Sequence, residues 1–82
     1  MTNAIRELDT VVLNRDVPEA DLRAGDLGAV VHVYDHATIE VEFVTASGRT
    51  QALQMLSAAD VRPVRDDDLL AVRSASSMRG AA

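Results

Sequence analysis

The stretch Thr38-Ile39-Glu40-Val41-Glu42-Phe43-Val44-Thr45 alternates apolar and acidic side chains with a period of two. In an extended strand successive side chains point to opposite sides, so Ile39, Val41 and Phe43 share one face and Glu40 and Glu42 the other. A helix would scatter the same residues around its axis. The pattern therefore predicts a half-buried β-strand with Phe43, the chain's single Phe, in the core. On its N-terminal side, Asp35-His36-Ala37 is short enough for a hairpin turn. On its C-terminal side, Ala46-Ser47-Gly48-Arg49 predicts a second turn, with Gly48 supplying the positive φ that such turns need.

Each turn leads to a further strand. Ala29 to Tyr34 (AVVHVY) has Val31 and Val33 on one face and Val30, His32 and Tyr34 on the other. Thr50 to Leu56 places Leu53 and Met55 together on one face. Leu8 to Asn14 (LDTVVLN) reads as the first strand, with Val11 and Leu13 aligned. Arg15 to Asp26 reads as a long surface loop pinned by Val17 and Leu22, because Pro18 and Gly25 break regular structure. Ser57 to Asp60 predicts one turn of helix, and Val61-Arg62-Pro63-Val64 a short last strand that Pro63 confines to an edge or an end. Five short strands without a long helix predict an all-β fold, a small five-stranded barrel over residues 1–65. Residues 66–82 form an acidic C-terminal tail. There Asp66 is expected to cap a short helix from Asp67 to about Ser74, whose leucines fold back on the barrel or meet a partner. The last eight or so residues are expected to be disordered.

Composition bounds what such a chain can do. Eighty-two residues leave room for one domain. Thirteen of the apolar residues are Ala, and Val and Leu dominate the rest, so the core must be aliphatic and thin. Absence of cysteine removes disulfides, thiolate metal sites and cysteine nucleophiles, and fits a reducing, cytoplasmic address. No apolar run approaches the ~20 residues of a membrane span, and acidic residues stand where a signal peptide would be apolar. Thirteen acidic residues against eight basic ones, all Arg, give a net charge of -5. That balance poorly suits nucleic acid, whose binding rests on clustered cations, and suits a basic partner.

The segment Leu22-Arg23-Ala24-Gly25-Asp26-Leu27-Gly28-Ala29-Val30-Val31, the strand IEVEFV, a glycine turn and a closing L-x-x-x-D-V-R-P-V resemble a family of small bacterial proteins. That family is catalogued as domain of unknown function 4926. It shares the opening L-D-x-V-x-L-x-x-D-x-P, and the likeness runs from Leu8 to Val64. The resemblance implies an SH3-like barrel and no catalytic residues. Gly25 to Val31 also resembles, more loosely, the glycine-containing loop and strand of KOW domains of ribosomal and transcription-elongation proteins.

Read for their own chemistry, Gly25 and Gly28 bracket the start of a strand, where backbone approaches closely, and Asp26 between them is placed to accept backbone N–H bonds and fix the turn. No Lys and no following helix make a phosphate cradle of them. His32 and His36, on a strand and at a turn tip, do not share the helix face that would make them paired metal ligands. Consecutive Asp66, Asp67 and Asp68 lack the spaced oxygens of a calcium loop and read as a solvated run or a helix cap. No catalytic residue, metal site, cofactor or small-molecule substrate is expected, and the chain reads as a non-enzyme.

What remains is surface. Tyr34, His32, Arg23, Arg49 and Asp35 are the candidate binding residues, on one sheet face and the adjoining loop tips, while Gly25, Asp26, Gly28 and Gly48 serve turns. The expected function is a small protein–protein interaction module whose partner is another protein or a second copy, an inhibitor, antitoxin or immunity-type protein being one form. Alternatives are a KOW-like RNA- or ribosome-associated module, and an accessory subunit or chaperone of a larger enzyme.

Overall fold

The computed structural model describes residues 5–75. They form five strands: β1 (Thr10–Leu13), β2 (Leu27–Asp35), β3 (Thr38–Val44), β4 (Thr50–Ser57) and β5 (Val61–Pro63). All pairings are antiparallel, and the sheet order is β4-β3-β2-β1-β5. The all-β class and five strands expected from the sequence are the observed ones. Among the described residues no helix is long and apolar enough to cross a membrane.

Sheet order and chain connection together force curvature. β4 and β5 are opposite edges, four inter-strand spacings apart, or about 19 Å if the sheet were flat. Only Ala58–Asp60, a 3-10 turn, joins them. At ~2 Å rise per residue that turn spans about a third of the distance, so the sheet rolls until its edges approach at this end. Two reciprocal bonds fix the turn: Ser57 Oγ accepts from Ala59 N at 3.1 Å, and Asp60 Oδ2 accepts from Ser57 N at 3.1 Å. The Asn14 amide donates to the Asp60 carbonyl at 2.7 Å and Arg15 Nε to Asp60 Oδ1 at 3.0 Å, tying the turn to the end of β1.

The core fills the inside of this roll. Ile39, Val41 and Phe43 are 1%, 0% and 3% exposed, as their alternation predicts, and they meet Val11, Leu13, Val30 and Leu56. The long loop is pinned as expected. Val17 and Leu22 are buried and bond to each other's backbone at 2.9 and 3.1 Å around the 3-10 turn Pro18–Ala20. Gly28 is needed for close packing, since a Cβ there would lie 2.5 Å from Val41 Cγ1 and 2.8 Å from the Phe43 ring. Gly48, at φ +88°, turns the chain between β3 and β4.

Several expectations need correction. The first strand starts at Thr10 rather than Leu8, whose φ of +76° lies outside the extended region. The faces of β2 were misread because Val31 is an extra residue: the register steps from Val30↔Val41 to His32↔Glu40, a β-bulge. Val30 therefore points into the core and Val33 packs against it, while Val31, His32 and Tyr34 are exposed.

The helix expected after Asp66 does not form. Residues 68–74 run without regular structure, and Leu69, Leu70 and Val72 stay exposed rather than folding back. Asp66 and Asp67 are exposed, as a solvated run would be, but Asp68 is half-buried and caps no helix: it takes a two-pronged bond from Arg62, 2.9 Å on each side, and a 2.6 Å bond from the Arg65 amide. Further along, Arg73 bonds both oxygens of Asp26 at 2.9 and 2.6 Å and the Asp21 carbonyl at 2.8 Å. The tail is thus strapped to the loop that leads into β2. The end of the chain expected to be disordered lies, beyond Ala75, outside the described residues.

Three carboxylates carry these contacts, and all sit below the ordinary carboxylate range. Bonding from Arg62, then from the Arg65 amide, lowers Asp68 to about 2. The Arg15 hydrogen bond lowers Asp60. At Asp26 burial pushes upward, but the bonds from Arg73 and the Arg23 amide outweigh it.

Two predictions follow from this packing and pairing. Phe43→Ala should cost about 3–5 kcal/mol and Gly28→Ala about 1–3 kcal/mol in urea unfolding, the first by leaving a cavity and the second by overpacking. An unchanged midpoint in either would disprove the assigned faces of β2 and β3. Because the folded-state carboxylates are lowered, their stabilisation is complete above the ordinary value of about 4 and is lost as pH falls toward 2. Melting temperature should therefore hold from neutral pH to about 5, fall below about 4, and fall less steeply in Asp68→Asn.

Candidate interaction surface

The outer side of β2, β3 and β4 is assembled by register. Ala29, Glu42 and Leu53 lie side by side across the three strands, and His32, Glu40 and Met55 form the next row. Directly opposite residues in antiparallel strands share a face. The inward alternation of Ile39, Val41 and Phe43 therefore obliges both glutamates, with Leu53 and Met55, to point outward. Leu53 and Met55 are 52% and 61% exposed. The sequence had put this pair on one face, and the structure shows that it is the solvent face.

Two register shifts of β2 against β3, one inserting Val31 and the other inserting Tyr34, set the aromatic end of this surface. His32 and Tyr34 meet edge to face with ring centroids 4.4 Å apart. Tyr34 Oη donates to Glu40 Oε1 at 3.4 Å, and His32 Nδ1 lies 3.5 Å from Glu7 Oε2. Partial desolvation, then the charge and hydrogen bond of Glu40, raises the Tyr34 phenol above its ordinary value. Glu42 Oε2 accepts from Thr50 Oγ1 at 2.5 Å. Among the described residues neither Glu40 nor Glu42 has an arginine partner, whereas Arg15, Arg62 and Arg73 are all engaged by aspartates elsewhere.

The other sequence-derived candidates are spread along the fold. Asp35 ends β2 and holds the hairpin, its Oδ1 accepting from the Ala37 and Thr38 amides at 2.7 and 2.9 Å. His36 occupies the tip. Arg23 and Arg49 belong to the opposite end of the sheet, in the loop before β2 and in the turn between β3 and β4. Arg23 lies beside Asp26, which accepts its amide at 2.8 Å, and the Arg49 carbonyl receives the Thr45 amide at 2.9 Å. His32 and Tyr34 therefore form one cluster, close to Asp35, and the two arginines do not join it. Gly25, at φ +98°, and Asp26 make the turn that the sequence assigned to them.

At that opposite end a cleft of about 310 Å³ opens between the loop, the end of β3 and the tail, lined by Leu22, Leu27, Phe43, Val44, Val72 and Arg73 among others. Sequence reasoning missed the strap beside it. Arg73 and Asp26 are 47 positions apart, and no local pattern marks such a pair. Among the described residues no group of three or more His, Cys, Asp or Glu side chains is placed to hold a metal ion.

A family profile described as Domain of unknown function (DUF4926) matches residues 7–63. The chain belongs to the DUF4926 family. No curated protein and no solved structure matches it. The DUF4926 match ends at the last residue of β5, so it takes in the whole sheet and the outer face, while Asp68 and Arg73 of the tail lie beyond it.

Tyr34 is the chain's single tyrosine, so ultraviolet absorbance reads its titration alone. The phenol should titrate above about 10, and Glu40→Gln should bring it down. A phenol unaffected by that substitution would show that Tyr34 and Glu40 are not in contact.

Proposed function

We propose that this DUF4926 chain is a non-catalytic protein–protein interaction module of the bacterial cytoplasm, presenting the outer face of β2–β4 to a basic surface of another protein. One observation carries the reading: Glu40 and Glu42 stand in the middle of a sheet face, among the described residues without arginine partners, between exposed Leu53 and Met55 and the His32–Tyr34 pair. Carboxylates fixed on a strand need no reorganisation to meet cations, and the flanking apolar groups supply area to bury. An inhibitor or immunity-type protein that covers a basic site is the form that best suits a small acidic domain.

The segment behind the KOW likeness has structural employment here. Gly25 and Asp26 form a turn, and Gly28 brings β2 against Val41 and Phe43. An acidic face beside it repels phosphates, which favours a protein partner over RNA.

The test is recovery of the tagged chain from its own lysate, with and without nuclease. We expect one stoichiometric basic protein that survives nuclease and is lost with Glu40→Arg/Glu42→Arg, provided that variant melts like the parent. RNA or ribosomal proteins released by nuclease would overturn the reading. So would a partner that the double variant retains.

A further inference from the structure

The two edges of the sheet are built differently. β5 has three residues, one of them Pro63, which has no N–H to offer, and its Arg62 is held by Asp68. β4 has eight residues, Thr-Gln-Ala-Leu-Gln-Met-Leu-Ser, with no proline, no glycine and no charge, in a chain where 26% of residues are charged. Among the described residues no backbone–backbone hydrogen bond joins β4 to any element but β3. Natural sheets guard such an edge with charge, proline or a bulge, because its free N–H and C=O groups template another strand. β4 carries neither charge nor proline, and its one bulge, at Gln51, where the register steps from Phe43↔Ala52 to Val44↔Thr50, leaves Ala52 to Ser57 in regular register.

From this we infer that β4 pairs antiparallel with β4 of a second copy about a two-fold axis through Gln54. The register follows from the side chains. In an antiparallel pair, opposite residues share a face, so a two-fold axis must pass through a residue. Placed at Gln54, it sets Leu53 opposite the second copy's Met55 and Met55 opposite its Leu53. Four apolar side chains then form one seam on the outer surface, where each chain alone leaves two of them exposed. Moving the axis to Ala52 or Leu56 sets Leu53 opposite Gln51 or Met55 opposite Ser57 and breaks the seam.

Charge decides between a second copy and a charged strand from elsewhere. No residue of β4 is ionisable, so no like charges face each other across the axis and nothing on the strand calls for a cation. Glu40 and Glu42 sit one strand inward, three spacings or about 14 Å from their counterparts, beyond the ~8 Å over which exposed charges act at physiological salt. The pairing leaves both glutamates outward on each copy and joins two acidic faces into one six-stranded surface.

Sedimentation equilibrium of the full chain should give twice the 8.8 kDa chain mass. Leu53→Lys and, separately, Met55→Lys should halve it while keeping the β-sheet circular dichroism. The chain has no cysteine, so single-cysteine variants report the register. Gln54→Cys should oxidise to a linked dimer faster than Leu53→Cys, whose sulfurs start on diagonal positions. A chain that stays monomeric at millimolar concentration overturns the inference, as does a dimer untouched by both folded lysine variants. A monomer that captures a basic protein through Glu40 and Glu42 defeats the dimer alone. A β4-linked dimer that captures nothing defeats only the proposed function.

Discussion

Ala58, Ala59 and Asp60 carry the chain from one edge of the sheet to the other, and this short span governs the rest of the fold. A sheet obliged to roll so tightly encloses little volume. Its interior is accordingly filled by Val, Leu and Ile with a single Phe. Gly28 lets β2 approach the side chains of β3, and the bulge at Val31 adds the local twist that a rolled sheet needs. The bonds around Asp60 complete the closure by fixing the link to Asn14 and Arg15 at the end of β1.

Most of this was legible wherever a pattern is local. The alternation of Ile39, Val41 and Phe43 gave the core face of β3, and Asp35 and Gly48 marked its two turns. Val17 and Leu22 stood out as the apolar anchors of a polar loop. The reading failed where the deciding partner is remote or where the period slips. Val30, Val31 and Val33 satisfy either face, and only the register with β3 shows that Val31 and Tyr34 are inserted residues. Asp66 looked like a helix cap because nothing local showed that Asp68 is claimed by Arg62. Of the candidate site, His32, Tyr34 and the outward glutamates were visible in the sequence. That Leu53 and Met55 share their face follows only from the strand pairing.

The charge of the chain is unevenly placed. Arg15, Arg62 and Arg73 neutralise aspartates around the loop, β5 and the tail, whereas among the described residues Glu40 and Glu42 on the face of β2–β4 have no arginine ion pair. Two of these pairs hold the tail, which lies beyond the DUF4926 match: Arg62–Asp68 ties it to β5 and Arg73–Asp26 to the turn that opens β2. Structural cohesion and the proposed recognition thus draw on different sets of acidic residues, so the recognition face can vary without loosening the fold.

The pairing of β1 with β5 joins Val11 to Pro63, whereas β2, β3 and β4 are linked by short turns. Closing so long a loop costs more chain entropy than closing either hairpin, and it is repaid only once the intervening strands are in place. Loop-closure entropy therefore favours forming the β2–β3–β4 meander before the β1–β5 seam. Accordingly, the hydrogen-bonded amides shared by β1 and the short β5 are expected to exchange before those shared by β2 and β3.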